Sequence, residues 1–341
     1  MTTAVIYGCS GTKLTPDEAR FFREAAPWGF ILFRRNIETA DQTRALCAAL
    51  RETVGWDAPI LIDHEGGRVD RMTPQIVPQT RIPAGVIGDL VNQKGLEAAC
   101  EAARVHGQLL AQDAVALGLS VNCVPMIDVR APGSHDIIGD RAFSEDPEIV
   151  TALGRAQMQG TLLGGCLPII KHIPGHGRAK SDSHLDLPIV DAARDDLQAI
   201  DFAPFKALSD APMAMTAHVV YTALDEKACA TLSKTVIDNV IRGHIAFDGL
   251  LMTDDLSMKA LAGGFDERTR ASLAAGCDLI LHCNGDMEEM TAVASAVPTL
   301  EGRAKRRADA AVATPKGSAT EIAIAELEAQ LASLTNSASL S

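Results

Sequence analysis

Leu167-Pro168-Ile169-Ile170-Lys171-His172 is a short apolar run that ends on two basic residues and opens at once into Ile173-Pro174-Gly175-His176-Gly177. An apolar run of this length, bounded by turn chemistry, reads as a strand. The design recurs at Ala4 to Gly8, Gly29 to Phe33, Pro59 to Asp63, Leu119 to Asp128, Met213 to His218, Gly249 to Asp254 and Asp278 to His282, which makes eight strands in all. Between them lie segments with apolar residues three and four apart: Glu18 to Ala26, Asp41 to Val54, Leu96 to Leu117, Glu148 to Leu163, Asp196 to Leu208, Lys234 to Ile245 and Glu267 to Ala275. This spacing is helical. The first helix carries its own start signal, because Thr15 can cap, Pro16 suits the first turn and Glu18 can return the capping-box bond.

Alternation at this count and length predicts an α/β chain folded as a single-domain (β/α)8 TIM barrel. A doubly wound open sheet uses the same local pattern, but its G-x-G-x-x-G turn after the first strand is missing, as is a P-loop. The catalytic barrel is expected over 1–298. After Pro298 the character changes: Arg303, Lys305, Arg306 and Arg307 give way to Ala/Ser/Thr-rich sequence, and Ile322 to Leu334 regains helical spacing. Residues 299–334 are therefore expected as a C-terminal helical extension packed on the barrel, and 335–341 as a frayed, disordered tail.

The chain has 341 residues, 47% of them hydrophobic, which suffices for a large buried core. Its formal charge of -13 argues against nucleic acid or an anionic membrane surface as a partner. Eight cysteines stand singly, with no CxxC pair, as buried thiols of a reducing compartment would. The start Met1-Thr2-Thr3 shows no secretory leader and no stretch could span a bilayer, so the expected location is cytoplasmic. No obligate protein partner is evident. Aromatic residues make up only 4%, leaving few platforms for a long polymer, and a short ligand held by hydrogen bonds fits better.

In a barrel of this kind, chemistry gathers where strands end. Here Asp63-His64-Glu65 ends the third run, Asp128 the fourth, Lys171-His172 the fifth, His218 the sixth and Asp254-Asp255 the seventh. A single strand-terminal Asp such as Asp128 can equally be a helix cap. The loop after Lys171 is the densest cluster, with His172, His176, Asp182 and His184 among glycines. Histidines suggest a metal first, yet there is no H-E-x-x-H, and the Lys171 ammonium would repel a cation beside His172. A phosphate loop lacks its G-K-[ST], and Ser183 lacks the G-x-S-x-G elbow of a nucleophilic serine.

Sugar chemistry uses what is present: a carboxylate to attack an anomeric carbon and an acid to protonate the leaving oxygen. Asp254 at a strand end suits the first role. His184 suits the second, with Asp182 two residues away to orient its ring. Asp255 should point away from Asp254 by strand alternation and so support structure. His176 is read as shaping the turn.

At these residues the chain resembles glycoside hydrolase family 3, in particular the bacterial cytoplasmic β-N-acetylglucosaminidases of the NagZ type. Gly29-Phe30-Ile31-Leu32-Phe33-Arg34-Arg35-Asn36 is similar to that family's early strand, Asp63-His64-Glu65-Gly66-Gly67-Arg68-Val69 to its D-x-E-G-G-R-V signature, and Arg141-Ala142-Phe143-Ser144 to its R-[SA]-F segment. The His-rich loop and Thr253-Asp254-Asp255-Leu256-Ser257-Met258 complete the set, and the resemblance covers about residues 4 to 290. His64 stands where glutamine is usual, Ile173 where phenylalanine is frequent, and Thr253 in place of serine.

The resemblance implies a retaining exo-glycosidase without metal or cofactor. It implies that Asp254 forms a covalent glycosyl-enzyme and that His184 is the acid/base with Asp182 as its partner. Asp63, Arg71, Arg141, Lys171 and His172 would bind a terminal N-acetylglucosamine. The implied substrate is a small carbohydrate, the GlcNAc-anhydromuropeptide of peptidoglycan recycling. Phosphorolysis on the same fold and a metal-dependent hydrolase are the alternatives.

Overall fold

Each of the eight apolar runs forms a strand in the computed structural model, which describes residues 1–72, 76–77, 81–133, 138–179, 181, 186–318 and 322–336. The strands are β1 (Thr3–Tyr7), β2 (Pro27–Leu32), β3 (Ile60–Ile62), β4 (Val121–Asn122), β5 (Leu167–Ile173), β6 (Met213–Thr216), β7 (Leu250–Asp255) and β8 (Leu279–His282). Every strand pairs in parallel with its neighbours in sequence, and β8 returns to β1 to close the barrel. The chain is a single-domain (β/α)8 barrel.

Strand alternation sorts the side chains into two sets. Leu61, Ile169, Met215, Met252 and Leu281 belong to one buried cluster inside the barrel. Their sequence neighbours Ile170, Ala214 and Leu251 pack outward with residues of the surrounding helices. Each buried aliphatic side chain contributes about 1.5–3 kcal/mol, so charges are excluded from these inner layers. Two residues beyond Leu61, Ile169 and Met252 stand Asp63, Lys171 and Asp254. They form the next inward layer, at the rim.

The helices follow the sequence closely, with Pro16–Ala25 starting on the expected box: Thr15 Oγ1 accepts from Glu18 N at 3.2 Å and Glu18 Oε2 from Thr15 N at 2.9 Å. Ala40–Val54, Leu96–Ala116, Pro147–Leu163 and Phe265–Ala275 lie within two residues of expectation. Two expected helices are irregular. The one over Asp196 to Leu208 is broken at Phe202, whose N–H bonds to Leu197 O five residues back, and Val236–His244 widens in the same way where Ile245 N reaches Val240 O. Helices Ala84–Lys94 and Met287–Ala294 were not foreseen, and Gly302–Val312 lies in the stretch 299–334 expected to be a helical extension.

The run Leu119 to Asp128 is regular only over Val121–Asn122. Pro125 has no N–H to donate, so the ladder is interrupted and resumes as a single bridge between Met126 and Lys171. Beyond Pro298 the chain joins the barrel core: Leu300, Ala308 and Ala311 are buried with the inner residues, and Leu300 N bonds to Thr2 O below β1. The helix Ile324–Thr335 buries Leu327 and Leu331 with residues of Leu96–Ala116. Beyond Asn336 the expected tail lies outside the described residues.

Candidate active site

The rim layer opens on a cavity of about 340 Å³ whose lining includes Asp63, Arg71, Arg141, Lys171, His172 and Asp254. All six come from the sequence reading, and closure of the barrel brings them together. Asp182 and His184 lie outside the described residues, as does Ser183.

Lys171 stands at the centre, 2% exposed, with Nζ 2.8 Å from Asp63 Oδ1 and 2.7 Å from Glu65 Oε1. Arg141 closes the cluster, Nε to Glu65 Oε2 at 2.9 Å and Nη2 to Glu65 Oε1 at 2.8 Å. This paired contact is the geometry that suits a guanidinium against a carboxylate. Arg71 Nη2 lies 3.5 Å from Asp63 Oδ2, with its guanidinium 5.4 Å from the centre of the Phe33 ring.

Burial alone would push these carboxyls up, but the cations outweigh it. Lys171 and Arg71 hold Asp63 well below the usual carboxylate range, and Arg141 and Lys171 draw Glu65 down to about 2. Lys171 is raised in turn, because Asp63 and Glu65 overcome the burial that would discharge it. The cluster is therefore fully ionised at neutral pH, with acceptors and donors fixed before any ligand arrives.

A second group holds the imidazoles. Asp128 is fully buried and accepts from His172 Nδ1 at 2.7 Å, His172 N at 3.1 Å and His176 N at 2.6 Å. It caps no helix; it orients a histidine. The two rings lie edge to face, centroids 5.6 Å apart, and both line the cavity. His176 thus does more than shape the turn. Burial, then the neighbouring His172, pushes it down to about 4, so it is neutral at pH 7. The pairing of β5 with β6 shifts between Lys171 and Ile173, which lets consecutive residues Lys171 and His172 both face the cavity.

Asp254 and Asp255 are also both at the lining, where the β7–β8 register shifts between Met252 and Asp255. Their tasks differ. Asp255 was expected to point away from Asp254, and the register shift brings it to the lining instead; it still supports structure, because it accepts from Ser257 N at 3.0 Å and Cys283 N at 3.1 Å and so braces the loop. His218 lies behind, between Thr231 Oγ1 at 2.7 Å and Asp255 O at 3.1 Å. Asp254 Oδ1 accepts from Asp255 N at 2.8 Å.

A family model described as the glycosyl hydrolase family 3 N terminal domain matches residues 17–314. The chain belongs to glycoside hydrolase family 3. A β-hexosaminidase of Neisseria gonorrhoeae (strain ATCC 700825 / FA 1090) is 39% identical over 277 residues, 80% of this chain and 75% of that one. One from Chromobacterium violaceum is 36% identical over 341 residues, 95% and 94% of the two. Among solved structures, NagZ from Neisseria gonorrhoeae in complex with N-trifluoroacetyl-D-glucosamine superposes with a TM-score of 0.84 at 31% identity, covering 98% of this chain and 97% of that one. The same enzyme in complex with a zinc ion gives 0.84 at 29%, covering 98% of each. Within family 3 the chain is a glycosidase of the NagZ-type β-N-acetylhexosaminidases.

Among the polar lining or bracing residues, Glu65, Arg68, Asp128, His176 and Asp255 were not picked out as site residues from sequence. Glu65 had a signal, since it stands inside the D-x-E-G-G-R-V stretch with Asp63. Nothing in the sequence said that Asp128 would face His172, because that contact joins β4's extension to β5. Among the described residues no group of three or more His, Cys, Asp or Glu could hold a metal ion, and no helix is long and apolar enough to cross a membrane.

Proposed function

We propose that this glycosidase is a retaining exo-β-N-acetylglucosaminidase that removes terminal non-reducing N-acetylglucosamine from peptidoglycan fragments, the GlcNAc-1,6-anhydromuropeptides of cell-wall recycling, in the cytoplasm. The observation that carries the reading is the rim layer, where Asp254 shares one small cavity with the ionised Asp63–Lys171–Glu65–Arg141 cluster. In this reading residues 1–298 form the catalytic barrel and 299–334 a helical extension of it.

Asp63 accepts from sugar hydroxyls, while Lys171, Arg71, Arg141 and His172 donate to hydroxyl oxygens or the N-acetyl carbonyl. The cluster is rigid because each ion already has a partner, so binding pays little ordering cost. An Asp254 carboxylate oxygen attacks C1 as the C1–O bond to the aglycone breaks, and His184, oriented by Asp182, delivers its proton to the departing oxygen. Water then attacks C1 with His184 taking its proton, which frees Asp254 and returns the β-anomer. The sugar analogue bound by the Neisseria enzyme supports a saccharide of this class.

The test is hydrolysis followed by NMR. Asp254→Asn should abolish turnover of an aryl β-N-acetylglucosaminide, and the wild-type product should first appear as the β-anomer; an initial α-anomer would exclude retention. GlcNAc-anhydromuramyl peptide compared with chitobiose tests the substrate, and sugar 1-phosphate formed in added phosphate would mean phosphorolysis instead. Full activity after chelation would dismiss a metal-dependent route.

A further inference from the structure

Asp63 and Glu65 line the cavity, and strand alternation turns His64, between them, into the protein, where it is fully buried. Its ring lies between two carboxylates: Nδ1 is 2.9 Å from Asp70 Oδ1 and Nε2 is 3.3 Å from Asp113 Oδ2. A neutral imidazole has one N–H and can donate to one of them; only the imidazolium donates to both. Burial alone would discharge the ring, but the bonds to Asp113 and Asp70 outweigh it and raise His64 above its ordinary range. Against burial, which would raise them, His64 holds Asp70, and His64 with Arg81 holds Asp113, below the usual carboxylate range. Arg81 grips Asp113 with two nitrogens, Nε to Oδ2 at 2.7 Å and Nη2 to Oδ1 at 2.9 Å, and its Nη1 reaches Glu328 of the C-terminal helix at 2.7 Å. His106, on the same helix as Asp113, is pushed down to about 3 by burial and then by His64, and is neutral. Were His64 neutral as well, Arg81 would be the one cation in this group set against Asp70, Asp113 and Glu328.

Asp70 is where this clamp reaches the site. His64–Gly66 pairs antiparallel with Val69–Asp70 across a turn in which Gly66 and Gly67 have φ of +86° and +61°, and Asp70 Oδ1 also accepts from Met72 N at 2.8 Å. Asn122, at the end of β4, fixes the backbone of His64 itself, accepting from its N–H at 3.1 Å and donating to its carbonyl at 2.8 Å. Asp63, Glu65, Arg68, Val69 and Arg71 all reach the cavity from this one stretch. Arg71 depends on it most. Lys171 and Arg141 are held to carboxylates by contacts between 2.7 and 2.9 Å, whereas Arg71 Nη2 stands 3.5 Å from Asp63 Oδ2 and its Nε has no partner among the described residues. The backbone of Arg71 lies between Asp70, which His64 holds, and Met72, which Asp70 holds, so the clamp sets where the guanidinium is presented.

We propose that His64 is a positioning residue for sugar binding: as a cation clamped between Asp70 and Asp113, it fixes the hairpin that presents Arg71 to the substrate. This rests on the reading of Arg71 as a sugar-binding residue and extends it to a histidine outside the cavity. A glutamine at position 64 brings a donor but no charge to set against the two carboxylates.

The experiment reads the inhibition constant of N-acetylglucosamine against hydrolysis of 4-nitrophenyl β-N-acetylglucosaminide in His64→Gln, Asp70→Asn, Arg71→Ala and the His64→Gln/Arg71→Ala pair. Arg71→Ala should raise the constant about ten-fold, as loss of one charge-assisted hydrogen bond does, and His64→Gln and Asp70→Asn about three-fold or more each. In the Arg71→Ala background His64→Gln should add less than about 1.5-fold, because the group it places is already gone. Asp70 is partly exposed, so Asp70→Asn carries the same cycle should His64→Gln fail to fold. In the wild-type protein with 15N-labelled histidine, NMR at pH 8 should show a ring with both nitrogens protonated that is lost or shifted in these two variants. An unchanged constant in His64→Gln or Asp70→Asn, an equal effect with and without Arg71, or a His64 ring with one protonated nitrogen would overturn the positioning role while the sugar site stands. If Arg71→Ala itself leaves the constant unchanged, the sugar-binding reading of Arg71 fails and this inference falls with it.

Discussion

The two mouths of the barrel are built from the same charged residue types and do opposite things. At the C-terminal rim Asp63, Glu65, Lys171 and Arg141 converge on a cavity of about 340 Å³. At the other end, Arg307 bridges Asp248 before β7 and Asp278 before β8, Arg242 Nη2 meets Asp278 Oδ2 at 2.7 Å, and Leu300, Ala308 and Ala311 fill the floor. Charge at a strand end is therefore not by itself a sign of a site. What separates the two is the filling: helix Gly302–Val312 supplies apolar side chains below, and nothing equivalent covers the described residues of the rim.

The sharpest way to break this contrast is Lys171→Met. Among the described residues it leaves the half-buried Asp63 with Arg71 and the buried Glu65 with Arg141, so kcat/KM should fall by about 100-fold or more and urea denaturation should show a loss of about 3–5 kcal/mol. Full activity in that variant would mean that the rim cluster is structural, like the floor.

The counterpart below is Arg307→Met, for which Asp278 keeps Arg242 as a partner. A loss of about 1–2 kcal/mol with unchanged kcat/KM is expected, and any selective loss of activity would erase the distinction between the mouths.

Acid tests the rim side through two carboxyls of opposite sign. Glu65 titrates near 2 in the folded chain, below its ordinary value near 4.5, so its stabilisation is complete above that value and is lost as pH falls toward 2. Glu65→Gln should flatten the acid limb of the stability curve between those values, as read by denaturation at successive pH. Asp201 has the opposite sign: raised to about 6, it weakens the fold as pH climbs from about 4 through 6, and Asp201→Asn should remove that decline. The smallest effect is expected at the exposed floor residue Arg306, where Arg306→Ala should stay within about 0.5 kcal/mol and leave catalysis alone.

The eight strands were legible because each is a short apolar run closed by polar or glycine-rich sequence, and the helix starts because Thr15 and Glu18 satisfy each other locally. Helix Gly302–Val312 was expected only as part of a helical extension without its own limits, since it has few large apolar residues and buries mainly Ala308 and Ala311. Six of the eight expected site residues meet at one cavity, and the other two, Asp182 and His184, fall outside the described residues.

Alternation along one strand is a local property, and from it alone Asp63, Lys171 and Asp254 could each be placed at a strand's end and in phase with the apolar residues two positions before. Their meeting was not a local property. Barrel closure and the register shifts in β5 and β7 decided that Lys171 would sit between Asp63 and Glu65, that His172 next to Lys171 and Asp255 next to Asp254 would also face the cavity, and that Asp128 would hold the His172 imidazole and the His176 backbone N–H. Those contacts join residues dozens of positions apart, and only the packing of the whole barrel brings them within hydrogen-bonding distance.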